Sequence, residues 1–309
     1  MRSAVHSGDR LKMVAAFLAI YVIWGSTYLA IRYAVDGLPP FLMMGIRHVV
    51  AGGLLFGILR IRGEAAPDRR LWLPSLIAGG VCFLGGHGLL AWAEIKVSSG
   101  LAALLIACEP IIMVVLARMM GQEKFSSRTL LGLLLGMVGI AVLFQTTARQ
   151  GSVMGALALV LASVCWSVGA IYARGVKTAS SAALFAAMQM ITGGVLLLVT
   201  GSALGERIYP TAVSLRCLFS LIYLIIFGSL IAFSAYTWLL RVTTAARVST
   251  HCYINPVVAV FLGWALAGET ITMPMLVGTA IVVASVILVT TKQESREKAA
   301  EMPLEVVGD

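Results

Sequence analysis

The chain contains ten apolar stretches of 16 to 25 residues, close to the length that crosses a lipid bilayer as an α-helix. A transmembrane helix needs roughly 20 mainly apolar residues, because the hydrocarbon core of a bilayer is about 30 Å thick. The stretches cover residues 13–31, 41–59, 72–92, 98–116, 129–144, 153–173, 182–203, 215–239, 245–266 and 273–291. Hydrophobic residues make up 60% of the chain and charged residues only 12%. The sequence therefore predicts an all-α integral membrane protein with ten transmembrane helices.

The distribution of basic residues predicts how these helices are oriented. Of the 23 Lys and Arg residues, 17 lie in the two tails and in the four loops that would share their side of the membrane. Five lie in the loops of the other side, and Arg47 lies within a stretch. Since loops rich in Lys and Arg face the cytoplasm, we expect a multi-pass protein of the bacterial inner (plasma) membrane with both termini cytoplasmic. The net charge of +9 is explained by topology, so we expect the lipid bilayer as a partner and no nucleic acid.

The two halves of the chain repeat each other. The segment WGSTYLAIR that begins at Trp24 is matched by WSVGAIYAR, which begins at Trp166, and a shift of 146 residues carries Pro110 to Pro256. Because each half holds five stretches, an odd number, the second half must be inserted in the opposite orientation. Inverted repeats of this kind place a transport site at their interface, near the membrane midplane. The predicted divisions are a cytoplasmic tail (1–12), two five-helix repeats (13–146 and 153–291) and a second cytoplasmic tail (292–309).

Two proline-containing stretches in corresponding places indicate where that site lies. Glu109-Pro110 falls near the middle of the fourth stretch and Asn255-Pro256 near the middle of the ninth. Proline interrupts a helix because it lacks a backbone N–H, so we expect helix breaks at Pro110 and Pro256. A carboxyl group in hydrocarbon is costly and usually functional. Glu109 is interpreted as a proton carrier or as a counter-ion for a cationic substrate, with a permanently protonated structural acid as the alternative.

Several other side chains near the midplane could line a cavity for a substrate. Trp24 and Trp166 lie too deep for interfacial anchors, although both could simply pack between helices. Tyr28 and Tyr236 could supply hydroxyl groups or pack with those groups capped. Asn255 could bind substrate or satisfy the backbone groups that Pro256 leaves free. His87 is a second candidate for proton movement, with packing as the alternative. The predicted substrate and cavity residues are Trp24, Tyr28, Trp166, Tyr236 and Asn255, and the predicted coupling residues are Glu109 and His87.

At this point the chain resembles a known family. Three motifs carry the resemblance: the segment from Trp24 to Thr27, Pro39-Pro40 leading to Arg47, and residues 256–260 followed by Gly268-Glu269-Thr270. They are similar to motifs of the EamA-type exporters of the drug/metabolite transporter superfamily, in particular their YedA-like branch. The resemblance covers nearly the whole chain. It implies a central cavity formed by the first, third, fourth, sixth, eighth and ninth helices. It also implies export of amino acids or other small metabolites, often in exchange for protons.

The motifs of other functional classes are missing from the sequence. There is no P-loop, dinucleotide fingerprint, nucleophile elbow or spacing typical of metal ligands, so we expect no catalytic residues, no metal and no cofactor. The leading hypothesis is a secondary transporter that exports small organic metabolites or drug-like solutes by proton-coupled alternating access. The alternatives are an energy-independent facilitator of the same fold and, in a different class, a polytopic membrane enzyme. The expected partner is a small-molecule substrate, and the sequence leaves monomer or homodimer undecided.

Overall fold

The computed structural model of the protein describes residues 7–119, 127–149, 152–176, 180–243, 248 and 250–300. Within these ranges the chain forms α-helices, three π-helical segments and two short 3₁₀ turns, and no β-strand. The predicted N-terminal tail enters a helix at Ser7, and the last helix continues past the predicted start of the C-terminal tail to Ala300. Residues 1–6 and 301–309 of these tails lie outside the described residues.

The first half of the chain contains helices α1 to α8. They are α1 (Ser7–Leu18), α2 (Trp24–Val35), α3 (Pro40–Ile61), α4 (Trp72–Gly79), α5 (Leu89–Ala93), α6 (Ser99–Ile106), α7 (Glu109–Met119) and α8 (Ser127–Arg149). The second half contains helices α9 to α14. They are α9 (Val153–Gly175), α10 (Ala182–Ala203), α11 (Leu215–Tyr223), α12 (Ala232–Val242), α13 (His251–Ala267) and α14 (Met273–Ala300).

The predicted class, an all-α membrane protein, is confirmed. The described part contains six helices, counted across the π-helical segments that interrupt some of them, that are long and apolar enough to cross a membrane. They are Leu11–Val35, Pro40–Ile61, Arg69–Ala93, Val153–Gly175, Ala182–Ala203 and Leu215–Tyr236. Four shorter apolar helices accompany them: Ser99–Met113, Leu130–Thr146, Ile254–Ala267 and Met273–Leu288. These segments coincide with the ten apolar stretches of the sequence. The number of membrane crossings itself stays a prediction.

Small residues allow helices from the two halves to pack in close contact. The most extensive contacts join α3 to α10 and α8 to α14. A Cβ atom on Gly193 of α10 would lie 2.5 Å from the carbonyl oxygen of Gly79 in α4, so only glycine permits this approach. Between α14 and α8, the Ser285 hydroxyl donates to the carbonyl oxygen of Gly132 at 2.6 Å. The fifth and tenth apolar stretches therefore pack together and join the two halves of one chain.

The two prolines have different effects on their helices. The fourth stretch is interrupted, because α6 ends at Ile106 and α7 begins at Glu109 after a turn at residues 107–108. Pro110 then occupies the first turn of α7, where its missing N–H would be unpaired in any case. The expected break at Pro256 is corrected by the structure, since Pro256 lies inside the continuous helix α13. The neighbouring Asn255 amide, with its NH₂ group turned toward the backbone, donates to the carbonyl of His251 in the same helix at 3.2 Å.

Three π-helical segments interrupt long helices beside the centre of the bundle. They cover Ala19–Ile23 between α1 and α2, Gly80–Gly88 between α4 and α5, and Leu224–Ile231 between α11 and α12. A π-turn widens the helix and displaces carbonyl groups from their regular partners, and such turns are frequent at functional sites. One consequence is visible here, because the carbonyl of Gly228 accepts a hydrogen bond from the indole N–H of Trp24 at 3.1 Å.

Glutamates that follow glycines connect the two repeats at helix ends. Gly63, Gly205 and Gly268 adopt left-handed backbone conformations, and each is followed by a glutamate. The Glu64 carboxylate accepts from the backbone N–H of Ser181, which precedes α10, and Glu206 accepts from the N–H groups of Phe41 and Leu42 in α3. Glu269 accepts from the N–H groups of Ser99 and Gly100 in α6 and from the Ser99 hydroxyl. Each carboxylate thus satisfies otherwise unpaired donors at a helix of the opposite repeat.

Candidate functional site

A cavity of about 130 Å³ lies between the two repeats. Its walls come from α2, α3, α9 and α13, from the π-helical segments Gly80–Gly88 and Leu224–Ile231, and from the break between α6 and α7. The polar and aromatic residues that line it are Trp24, Thr27, Tyr28, Arg47, His48, Phe83, His87, Glu109, Ser163, Trp166, Ser229, Phe233, His251 and Asn255. Its volume equals that of about four water molecules, so in this conformation it is suited to a small solute.

Glu109 lies at the helix break and faces this cavity. As the first residue of α7, it is held where the chain changes direction after the turn at residues 107–108. The indole of Trp166 in α9 donates a hydrogen bond to the Glu109 carboxylate. This contact joins the fourth and sixth apolar stretches, one from each repeat. It brings together two residues that the sequence singled out separately.

Trp166 also stacks against one of two histidines that contact each other. The ring of His87 stacks on Trp166 with 4.8 Å between centroids and an angle of 17° between planes. The Nδ1 atom of His87 lies 2.9 Å from Nε2 of His48, so one of these nitrogens donates to the other. His48 is 1% exposed, and its Nδ1 atom has no hydrogen-bond partner. Glu109, Trp166, His87 and His48 thus form one connected series of polar groups.

Trp24 forms the opposite wall of the cavity together with residues of the second repeat. Its ring centroid lies 5.1 Å from that of Tyr236 and 5.1 Å from that of His251. His251 donates from Nδ1 to the carbonyl of Val248 at 2.9 Å. Tyr236 contacts Trp24 from behind and is absent from the cavity wall, whereas Tyr28 is part of that wall. Of the predicted aromatic residues, Trp24, Tyr28 and Trp166 therefore line one shared cavity.

Asn255 is 8% exposed and holds α13 against the first π-helical segment. With its NH₂ group turned toward the backbone, it donates to the carbonyls of Tyr21 at 3.1 Å and Ile20 at 3.2 Å, as well as to His251. These carbonyls lie in or next to the widened turn, where regular helical partners are displaced. None of these acceptors is the carbonyl of Cys252, the group that Pro256 leaves without its helical donor, so both interpretations of Asn255 stay predictions.

Arg47 contributes a buried positive charge to the same cavity. Its side chain is 5% exposed, and its Nε–H donates to the Ser229 hydroxyl at 3.0 Å. Within the described ranges no carboxylate lies at ion-pair distance from Arg47, since both ion pairs found there involve Asp36. A guanidinium that is buried without a carboxylate partner can bind an anionic group of a ligand.

Sequence reasoning missed His48 and His251 as cavity residues. Both lie in or at the edge of apolar stretches, and ionisable residues inside a membrane usually line a pathway. That signal was present for three of the four histidines of the chain, but only His87 was predicted as a site residue. Among the described residues, no group of three or more His, Cys, Asp or Glu side chains could hold a metal ion.

A helical membrane protein made of two related halves, with a cavity between them and ionisable groups in its wall, is built as a transporter. The chain belongs to the EamA-like transporter family, whose model matches it twice, over residues 11–145 and 153–291. The uncharacterized inner membrane transporter YedA of Escherichia coli (strain K12) is 34% identical over 281 residues, with 91% of each chain covered. The uncharacterized transporter YoaV of Bacillus subtilis (strain 168) is 25% identical over 292 residues, which covers 93% of this chain and 99% of YoaV.

A similarity to a solved structure agrees with this assignment. A protein of known crystal structure shares the fold with a TM-score of 0.63 at 19% sequence identity, covering 93% of this chain and 99% of its own. The predicted resemblance to the EamA family and the YedA-like branch is confirmed, and so is a role as a membrane transporter. The names of the relatives specify neither a substrate nor an energy source.

Proposed function

We propose that the protein is a secondary transporter that exports small organic metabolites or drug-like solutes by alternating access, with protons driving the exchange. The observation that carries the proposal is the position of Glu109. It lies at the break between α6 and α7 in a cavity walled by both repeats, and it is hydrogen-bonded to Trp166. A carboxyl group in such a place can bind a proton or a cationic group from whichever side the cavity opens.

The charges of the cavity support a substrate that carries groups of both signs. Arg47, which has no carboxylate partner among the described residues, would bind an anionic group, and Glu109 would bind an ammonium group or a proton. The indole rings of Trp24 and Trp166 offer faces for an apolar or cationic side chain. Amino acids combine these features and are the first substrate class that we would test. The small volume of the cavity favours small solutes over large ones.

The experiment is transport in inside-out membrane vesicles with and without a pH gradient. Candidate substrates come from a resistance screen with metabolites and toxic analogues, in cells with and without overexpression. We expect gradient-driven accumulation in the vesicles. Glu109→Gln should abolish the gradient dependence while leaving the amount of folded protein unchanged, because an amide keeps the volume and a hydrogen bond but exchanges no proton. Glu109→Asp is the matched control and should retain part of the gradient dependence.

Three outcomes separate the proposal from its alternatives. Full gradient dependence in Glu109→Gln would show that the acid is structural, and His87 would then be the next coupling candidate. Transport that equilibrates the substrate and ignores the gradient in the unmodified protein would identify a facilitator. Recovery of a chemically altered substrate from the vesicles would identify an enzyme. Both termini are proposed to be cytoplasmic, as the basic residues predict.

A further inference from the structure

Glu94 is a buried acid that is not part of the wall of the central cavity, although its charge acts on Tyr28, which lines that cavity. It follows α5, in the short connection that leads to α6. Its place at a helix end, two residues before Lys96, is typical of an acid that is solvated or paired with that lysine, but the described residues show neither. Glu94 is 0% exposed, and neither of its carboxyl oxygens has a hydrogen-bond partner. Lys96 instead lies over the ring of Trp92, 6.0 Å from its centroid.

The groups around Glu94 come from several helices at the same end of the bundle. The predicted topology places this end outside the cell, and we call it the outer end. Glu269, two residues after the end of α13, is the acidic group that acts on Glu94, and Arg32 of α2 is the basic group that acts on it. Arg32 is already paired with Asp36 at 2.9 Å, and Asp36 is also paired with Arg216 of α11 at 3.1 Å.

These surroundings determine the protonation state of Glu94 in this conformation. Burial raises the pKa of the Glu94 carboxyl well above its usual range, the negative charge of Glu269 raises it further, and Arg32 opposes both. An ionised carboxylate that is buried without hydrogen bonds is strongly unfavourable. Glu269, by contrast, accepts three hydrogen bonds from Ser99 and Gly100, which suit an ionised carboxylate. Because its buried carboxyl oxygens have no hydrogen-bond partner, Glu94 is held in the protonated form in this conformation.

The first turn of α6 packs against α13 at the outer end of the bundle. The first turn of α6 is bound by Glu269, and a Cβ atom on Gly100 would lie 3.1 Å from the Cα atom of Val260 in α13. α6 and α13 belong to opposite repeats. A polar pocket lined by Val97, Glu269 and neighbouring loop residues adjoins this contact. The wall of this pocket includes Ile95, the residue after Glu94, so separation of α6 from α13 would widen the pocket toward Glu94.

We propose that Glu94 is a proton-binding site of an outer gate: it holds a proton while α6 and α13 are packed together at the outer end and releases the proton when they separate. Closure then requires protonation, because an ionised Glu94 beside Glu269 would be buried without a partner. The closed form is stabilised at low external pH and lost as the pH rises through the closed-state pKa of Glu94. The inference deepens the proposed function, since it rests on a transporter whose outer end opens and closes.

The test measures accessibility instead of transport, so it is independent of the coupling assigned to Glu109. Val97 lines the outer pocket and is 2% exposed, whereas Leu266 lines the same pocket and is 65% exposed. Val97→Cys and Leu266→Cys serve as gate reporter and matched exposed reporter for a membrane-impermeant thiol reagent. The ratio of their labelling rates at each external pH, between about 5 and about 9, removes the pH dependence that the two thiols share, and the same ratio in Glu94→Gln gives the part that burial of the Val97→Cys thiol adds. The protein without a reporter gives the background from the native cysteines.

We expect the ratio to rise several-fold with external pH in the otherwise unmodified protein. Glu94→Gln should hold it low at every pH, because an amide is permanently neutral, and Glu94→Asp should retain a rise. Glu64→Gln, which alters a half-buried acid at the opposite end of the bundle, should leave the rise unchanged. A ratio independent of pH in the unmodified protein, or an unchanged rise in Glu94→Gln, would overturn the gate. A labelling ratio that depends on the sodium concentration at constant pH would also overturn the proposal, because Glu94 would then bind a metal cation and not a proton.

Failure of this proposal and failure of the proposed function give different results. If labelling does not depend on pH but Glu109→Gln abolishes gradient-driven transport, only the gate is wrong. If labelling responds to Glu94 as expected but no substrate is driven by the gradient, the gate stands and proton coupling in the central cavity is wrong.

Discussion

The glutamates that cap helices of the opposite repeat allow a graded prediction of stability. Glu269 accepts three hydrogen bonds, Glu206 accepts two and Glu64 accepts one. All three residues are half-buried, so their solvent exposure is comparable. Replacement by alanine removes the acceptor and leaves the helix N–H groups unpaired in an apolar setting.

The expected magnitudes follow from the number of bonds lost. A hydrogen bond contributes about 1 kcal/mol net, so the free energy of unfolding should fall by about 3 kcal/mol in Glu269→Ala, 2 in Glu206→Ala and 1 in Glu64→Ala. For a chain of this size, 1 kcal/mol lowers the melting temperature by about 2 °C. The three variants should therefore melt about 6, 4 and 2 °C below the parent protein.

The assay is thermal unfolding of the purified protein in detergent, followed by the loss of the monodisperse peak in size-exclusion chromatography. The corresponding glutamine variants are the controls, because an amide oxygen still accepts one hydrogen bond. Glu206→Gln and Glu269→Gln should therefore melt between their alanine counterparts and the parent, and Glu64→Gln, whose one hydrogen bond is kept, should melt close to the parent. The reasoning is refuted if Glu64→Ala is as destabilising as Glu269→Ala, or if the order of the three is reversed.

Three further predictions concern topology, packing and the cavity. Reporter fusions after Gln150 and after Thr291 should report opposite sides of the membrane, and the same side for both would remove the inverted-repeat argument. Gly193→Ala should cost about 1–3 kcal/mol by overpacking against the neighbouring helix, measured as a lower melting temperature. Gly57→Ala, which has open space around the added methyl group, should not. Trp166→Phe keeps an aromatic ring but removes the donor to the central carboxylate, so gradient-driven transport should weaken while the yield of folded protein stays constant; unchanged transport would contradict this role.

The sequence by itself determined the class of protein and the approximate place of its site. Apolar stretches of membrane length are a local property of the chain, and every helix needs its own backbone hydrogen bonds in hydrocarbon, so the helical class follows without tertiary information. The break before Glu109 is likewise local, because Pro110 favours the first turn of a helix over its interior. The same argument did not hold for Pro256, which lies inside the continuous helix α13. The neighbouring Asn255 amide bonds the first π-helical segment, a contact that depends on the packing of α13 against that segment.

The tertiary structure decided which polar groups meet and which are covered. His48 contacts His87 only because α3 packs beside the π-helical segment Gly80–Gly88. The partners of the capping glutamates lie in the opposite repeat, more than one hundred residues away. Glu94 has the sequence context of a solvated loop residue, yet it is 0% exposed. Hydropathy and spacing describe what a residue can tolerate, but burial and charge pairing depend on the faces that packed helices turn toward each other.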